Sequence, residues 1–153
     1  MYFTDAFSIQ NTLLNTPAYQ INNPVRALFL DNEQTLWIGT KGNGILRMLK
    51  YTPEKGKPTA TERLFTNNSA LTDNSVYCFT PSRWKRLWIG TESGINYYSY
   101  QERKLKQFPV TAGGKAVKYV HSICEQNDST LWISTVGEGI VKVSLNTSSG
   151  IPT

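Results

Sequence analysis

Apolar and polar residues alternate along this chain in short runs, and the runs recur in register. Leu36-Trp-Ile-Gly-Thr40 returns unchanged as Leu87 to Thr91 and, with Ser134 in place of the glycine, as Leu131 to Thr135. Twelve residues ahead of each tryptophan (Trp37, Trp88, Trp132) stands a valine (Val25, Val76, Val120). Eight, seven and eight residues behind it stands an isoleucine (Ile45, Ile95, Ile140), preceded by a glycine (Gly44, Gly94, Gly139). The tryptophans are 51 and then 44 residues apart. Period-two alternation marks half-buried strands, and a repeat of this length marks stacked or radial units, each too small to bury a core alone.

Turn signals cut each unit into strands. The first full unit reads as Val25 to Leu30, the turn Asp31 to Gln34, Leu36 to Thr40, the turn Lys41 to Gly44, and Ile45 to Leu49. After a loop with Pro53, Gly56 and Pro58 comes a fourth strand around Thr61 to Thr66. The second unit repeats this with Val76 to Thr80, Leu87 to Thr91, Ile95 to Tyr100 and Lys104 to Phe108. The third supplies Val120 to Cys124, Leu131 to Thr135 and Ile140 to Leu145, then gives way to a Ser-, Gly- and Pro-rich tail. Four antiparallel strands joined by hairpins form one twisted blade. The expected fold is therefore all-β, a β-propeller fragment of about three four-stranded blades: outer strands of an incomplete blade in 1–21, blades in 22–70 and 71–114, a blade lacking its outer strand in 115–146, and a tail in 147–153.

The repeated anchors have structural explanations. Trp and Ile of the second strand lie on opposite faces, so each blade presents bulk to both neighbours, and the tryptophans are expected in the core. Ala27, Cys78 and Ser122, two residues past each valine, are small, as befits first strands crowding around an axis. Gly44, Gly94 and Gly139 stand where a hairpin calls for positive φ.

Composition narrows the function. The net charge of +5 would suit an anionic partner, yet apart from Arg83, Lys85 and Arg86 the basic residues are scattered, with no basic stripe interleaved with stacking rings. Nucleic-acid binding is not expected. Cys78 and Cys124 form no metal spacing and read as two buried thiols; no metal or cofactor is expected. Met1 is followed by neither a basic start nor an apolar run, and no stretch reaches the length of a membrane span, so this segment is expected to make no membrane contact. The single histidine, His121, has no sequence neighbour with which to form a nucleophile-base pair, and the acidic residues are dispersed in turns. No catalytic residues are assigned.

Strand direction does locate a candidate binding face. The leads into the first strands (Ile21 to Pro24, Leu71 to Ser75, Lys115 to Tyr119) and the hairpins after the second (Lys41 to Asn43, Glu92 and Ser93, Val136 to Glu138) emerge at one end of the blades. Arg26, Tyr77 and His121, each one past the valine, are candidates to line a central channel near that end, joined by Asn23, Asn74 and Tyr119 from the lead-in loops.

The pattern Val-x-x-Leu/Phe/Ile, Leu-Trp-Ile-Gly-Thr, Gly-Ile, with Leu71-Thr-Asp-Asn-Ser-Val76 leading in, resembles the two-component regulator propeller repeat. The resemblance covers three copies over most of residues 21–145. It implies the periplasmic sensor region of a bacterial hybrid two-component system histidine kinase, reading oligosaccharides to control polysaccharide use. A protein-interaction scaffold is the alternative from another class, and a propeller-based glycan lyase or hydrolase a third. The broken ends carry a further expectation. An N-terminal strand around Leu13 and Leu14 would complete the third blade of a second copy, giving a head-to-tail homodimer with a closed six-bladed ring.

Overall fold

In the computed structural model, which describes residues 21–50, 59–146 and 148, the repeats become three consecutive antiparallel sheets. The first contains β1 (Val25–Leu30), β2 (Leu36–Thr40), β3 (Ile45–Leu49) and β4 (Ala60–Leu64), in that order. The second contains β5 (Val76–Ser82), β6 (Arg86–Thr91), β7 (Gly94–Ser99) and β8 (Lys104–Gln107). A small hairpin follows, β9 (Thr111–Ala112) and β10 (Lys115–Ala116), in a stretch with no sequence signal beyond Gly113 and Gly114. The third sheet has three strands, β11 (Val120–Asn127), β12 (Thr130–Thr135) and β13 (Ile140–Ser144). No helix occurs among the described residues. The loop with Pro53, Gly56 and Pro58 and the segment around Leu13 and Leu14, with the strand exchange expected of it, lie outside the described residues.

Each blade turns one face to the blade after it. Trp37 and Ile45 of the first meet Leu87, Ile89, Tyr98 and Leu105 of the second, with Leu71 and Val76 closing the layer. Trp88 and Ile95 of the second meet Ile123, Leu131, Ile133 and Val143 of the third. Trp and Ile of one motif thus serve different junctions, as alternation requires: Trp88 packs forward and Ile89 backward. Burying a side chain of this size is worth about 1.5–3 kcal/mol, so these two apolar layers hold the sheets in sequence.

The glycine of the motif belongs to the same joint. A Cβ on Gly39 would lie 2.8 Å from Val76 Cγ1, and one on Gly90 would lie 2.5 Å from Cys78 Sγ and 2.7 Å from the Val120 carbonyl oxygen. The glycine therefore lets the anchor valine of the following blade rest on the second strand. No blade follows the third among the described residues, and there Ser134 hydrogen-bonds the Ser122 hydroxyl at 2.7 Å across β11 and β12. Gly44, at φ +66°, has a separate reason, since a Cβ there would collide with the Leu64 carbonyl.

Several core expectations fail at the two ends. Trp132 is 38 % exposed where Trp37 and Trp88 are fully buried, and Val25 is 44 % exposed where Val76 and Val120 are fully buried. Cys124 is exposed and Cys78 only partly buried, so the two buried thiols are not found; both are free, and burial pushes the Cys78 thiol up to about 11. Trp132, Val25 and Cys124 share a reason, whereas Cys78 stands at the covered second joint and packs against its core. Trp132 and Cys124 pair across β11 and β12 on the face turned away from the second blade, and no described residue covers it. On the outer face of the first blade Leu28 and Leu30 are exposed, but Ile38, Leu46 and Met48 are buried in a cluster with Ile21 and Leu36, so that face is closed in part.

Candidate functional site

The valine anchors end in an irregularity that alternation does not show. Val25 pairs with Thr40 and Ala27 with Gly39, leaving Arg26 without a ladder partner; the register shifts identically between Val76 and Cys78 and between Val120 and Ser122. Each first strand thus carries a bulge at the residue after its valine. A bulge adds one residue to one strand, bends it and re-aims a side chain. No glycine or proline marks these positions, so the sequence holds no sign of the bulges beyond the repeat itself.

The re-aimed side chains form one row across three blades. The Arg26 guanidinium carbon lies 4.6 Å from the centre of the Tyr77 ring, and the Tyr77 and His121 rings are 4.9 Å apart at 36°. Arg26 and His121 are exposed and Tyr77 is half-buried between them. Three of the six candidate residues are therefore brought together, at contact distance.

The loops at this end are tied to one another by backbone hydrogen bonds. Gly42 and Gly44 of the first hairpin donate to the Asn74 carbonyl at 3.1 and 2.8 Å, Tyr119 N donates to the Glu92 carbonyl at 2.8 Å, and Val136 N donates to the Tyr119 carbonyl at 3.0 Å. The candidate amides are spent in the same framework. Asn23 Nδ2 donates to the Lys41 carbonyl, and Asn74 Oδ1 accepts from Thr66 N. Tyr119, at φ +53°, fixes the loop through its backbone and keeps an exposed ring. Asn23 and Asn74 thus hold the rim, while Arg26, Tyr77 and His121 form the surface.

A groove of about 840 Å³ opens at the other end of the first junction, lined by Phe29, Asp31, Glu33, Pro81, Lys85 and Tyr100 among others. Its size alone would make it a candidate site, but its two carboxylates are already engaged. Asp31 Oδ2 accepts from Trp37 Nε1 and from the Tyr100 hydroxyl, each at 2.9 Å, and Glu33 is held by Arg103. Burial and the bond to Asp31 raise the Tyr100 phenol above its ordinary range, and the Arg103 hydrogen bond lowers the Glu33 carboxyl. These groups join the two blades. The bulged row, whose Arg26 has no carboxylate partner among the described residues, is the better site.

His121 meets the Tyr77 ring rather than a carboxylate or a hydroxyl nucleophile, and no group of three His, Cys, Asp or Glu side chains able to hold a metal occurs among the described residues. The row can stack and hydrogen-bond a ligand. It offers no nucleophile-base pair.

The relatives of this chain agree with its geometry. The model of the two component regulator propeller family matches residues 19–42 and 70–93. Histidine kinase P4 of Formosa agariphila is 27 % identical over 129 residues, which are 84 % of this chain and 9 % of that protein. Two extracellular domains of hybrid two component systems from B. thetaiotaomicron share the fold. One has TM-score 0.66 and 26 % identity over 80 % of this chain and 16 % of its own length; the other has TM-score 0.62 and 27 % identity over 86 % and 16 %. The chain spans less than a fifth of the length of each. The chain is a β-propeller fragment, and within it residues 19–42 and 70–93 are similar to the two component regulator propeller repeat.

Proposed function

We propose that this chain is part of the extracytoplasmic, periplasmic sensing propeller of a hybrid two-component histidine kinase, and that its ligand is an oligosaccharide whose arrival controls polysaccharide use. The observation that carries the ligand site is the row Arg26–Tyr77–His121, presented by the same bulge in three successive blades. Aromatic faces beside a guanidinium suit a sugar, whose apolar C–H face stacks and whose hydroxyls hydrogen-bond. The placement is supported by the relatives, two of which are extracellular domains of such systems. The apolar surface at Trp132 and Ile140 does not favour a scaffold, because the equivalent surfaces at Trp37 and Trp88 are each covered by another blade.

Titration of the chain with millimolar oligosaccharides, followed by NMR of the aromatic side chains, tests the reading. Tyr77 and His121 ring signals should move, and Tyr77→Ala should abolish the response while leaving the thermal midpoint nearly unchanged. Movement confined to the groove at Tyr100 would place the ligand elsewhere. Turnover of a polysaccharide that is lost in His121→Ala would replace the sensor by an enzyme.

A further inference from the structure

We propose that the sugar read by this row carries an acidic group, a carboxylate or a sulfate ester, held by Arg26; the proposal rests on the oligosaccharide reading above. The other guanidiniums with described ion pairs each have a carboxylate: Arg47 has Glu62 at 2.5 Å, Arg83 has Asp128 at 2.9 Å and Arg103 has Glu33. Arg26 instead lies over the Tyr77 ring, and among the described residues it has no carboxylate within ion-pair distance.

The contact with Tyr77 has a chemical consequence. The N–H donors of a guanidinium fan out in its own plane, and contact with one ring does not occupy all of them. That planar fork matches the two oxygens of a carboxylate, or two oxygens of a sulfate, in a bidentate pair. Contact with the ring also fixes the fork's position, so less freedom is lost when an anion arrives.

Other charged groups stand around the row. The exposed Lys41 is joined to the base of β1 by the bond from its backbone N to the Pro24 carbonyl, so the first-blade end is basic. Asp73 is occupied by Ser75 N and the Ser93 hydroxyl. Glu92 and Glu138 stand in the hairpins of the second and third blades and the exposed Lys118 in the lead into the third, so it is the guanidinium of Arg26, unpaired among the described residues, that assigns the acidic group to its end. Tyr77 and His121 then take the sugar ring that bears it or its neighbour.

Three hexasaccharides separate the possibilities: oligogalacturonate, its neutral carboxyl-reduced counterpart, and the neutral hexamer bearing sulfate esters. Binding to the whole chain is followed through the Arg26 side-chain N–H signal and the Tyr77 ring signals. At least one acidic hexamer should bind about tenfold or more tightly than the neutral one, as expected for a charge-assisted pair, and the two acidic arms identify the anion. Arg26→Gln should erase that difference and Arg26→Lys restore part of it. Because Arg26 is exposed, both variants should keep the thermal midpoint. Equal binding of all three hexamers, or an acidic preference that survives Arg26→Gln, overturns the acidic assignment and leaves the oligosaccharide reading standing. No response to any of the three overturns that reading and this one with it.

Discussion

The joint at Trp37 and the open face at Trp132 are built from the same parts and come to different ends. In the first, Arg47 pairs with Trp37 across β2 and β3 and lies 4.4 Å over its ring. In the second, Lys142 pairs with Trp132 across β12 and β13 and lies 5.8 Å over its ring. Each indole donates to the residue six positions ahead of it, Asp31 at 2.9 Å and Gln126 at 2.7 Å. The difference lies outside the blade. Tyr98 of the second blade sits edge-on to Trp37 at 5.1 Å and 4.7 Å from the Arg47 guanidinium carbon, and no described residue does this for Trp132. The motif therefore makes one half of a joint, and burial comes from the neighbour.

The largest expected effect measures that half directly. Trp37→Ala or Trp88→Ala should cost about 3–5 kcal/mol as large-to-small changes at fully buried positions. Trp132→Ala should cost less than about 1 kcal/mol by urea unfolding of the same chain, because much of its ring is already in water. Equal losses at Trp88 and Trp132 would mean that the third blade's face is covered in solution.

The glycine of the motif gives a sharper and smaller comparison. Gly90→Ala pushes a methyl into the Val120 carbonyl, a backbone group that cannot turn aside, and should cost about 1–3 kcal/mol. Ser134→Gly, at the equivalent position of the third blade, removes only the hydroxyl bond to Ser122 and should cost less than about 1 kcal/mol. If Gly90→Ala were neutral in thermal unfolding, the valine-on-glycine contact would not be what sets the blade spacing.

The covered joints were the legible part of this molecule. The spacing from Val76 through Trp88 to Ile95 specifies which strands exist and which face each side chain takes, because period-two alternation is local and apolar. β1, β2 and β3 begin and end where the pattern predicts. Exposure is harder to read, since Trp132 keeps the leucine and isoleucine that flank Trp88, and the one change in the motif, Ser134 for Gly90, gains its meaning only once the glycine is seen to seat the next blade's valine. The candidate site was half legible. Repeat register selected Arg26, Tyr77 and His121, but their meeting depends on three bulges, which shift the ladder without a residue that requires them. Position alone points to Asn23 and Asn74, and the structure occupies their side-chain amides in loop hydrogen bonds.

The smallest expected effect is electrostatic and again separates a shared contact from a lone one. Glu33, in the turn after β1, and Arg103, in the turn before β8, join the first two blades through a bond from Arg103 Nη2 to Glu33 Oε2 at 2.6 Å. That hydrogen bond holds the Glu33 carboxyl below its ordinary value of 4.5. A carboxyl whose folded value is depressed adds stability above its unfolded value and loses it as the pH falls through the folded one. Stability at this junction should therefore fall as the solution is acidified below about pH 4.5, by a small amount because both partners face solvent and salt screens them. Thermal midpoints of the chain and of Glu33→Gln, measured from neutral pH to about pH 3, should differ most at neutral pH and converge in acid. Raising the salt should narrow the neutral-pH gap. A gap that stays constant across the range would show that Glu33 acts through packing and not through its charge.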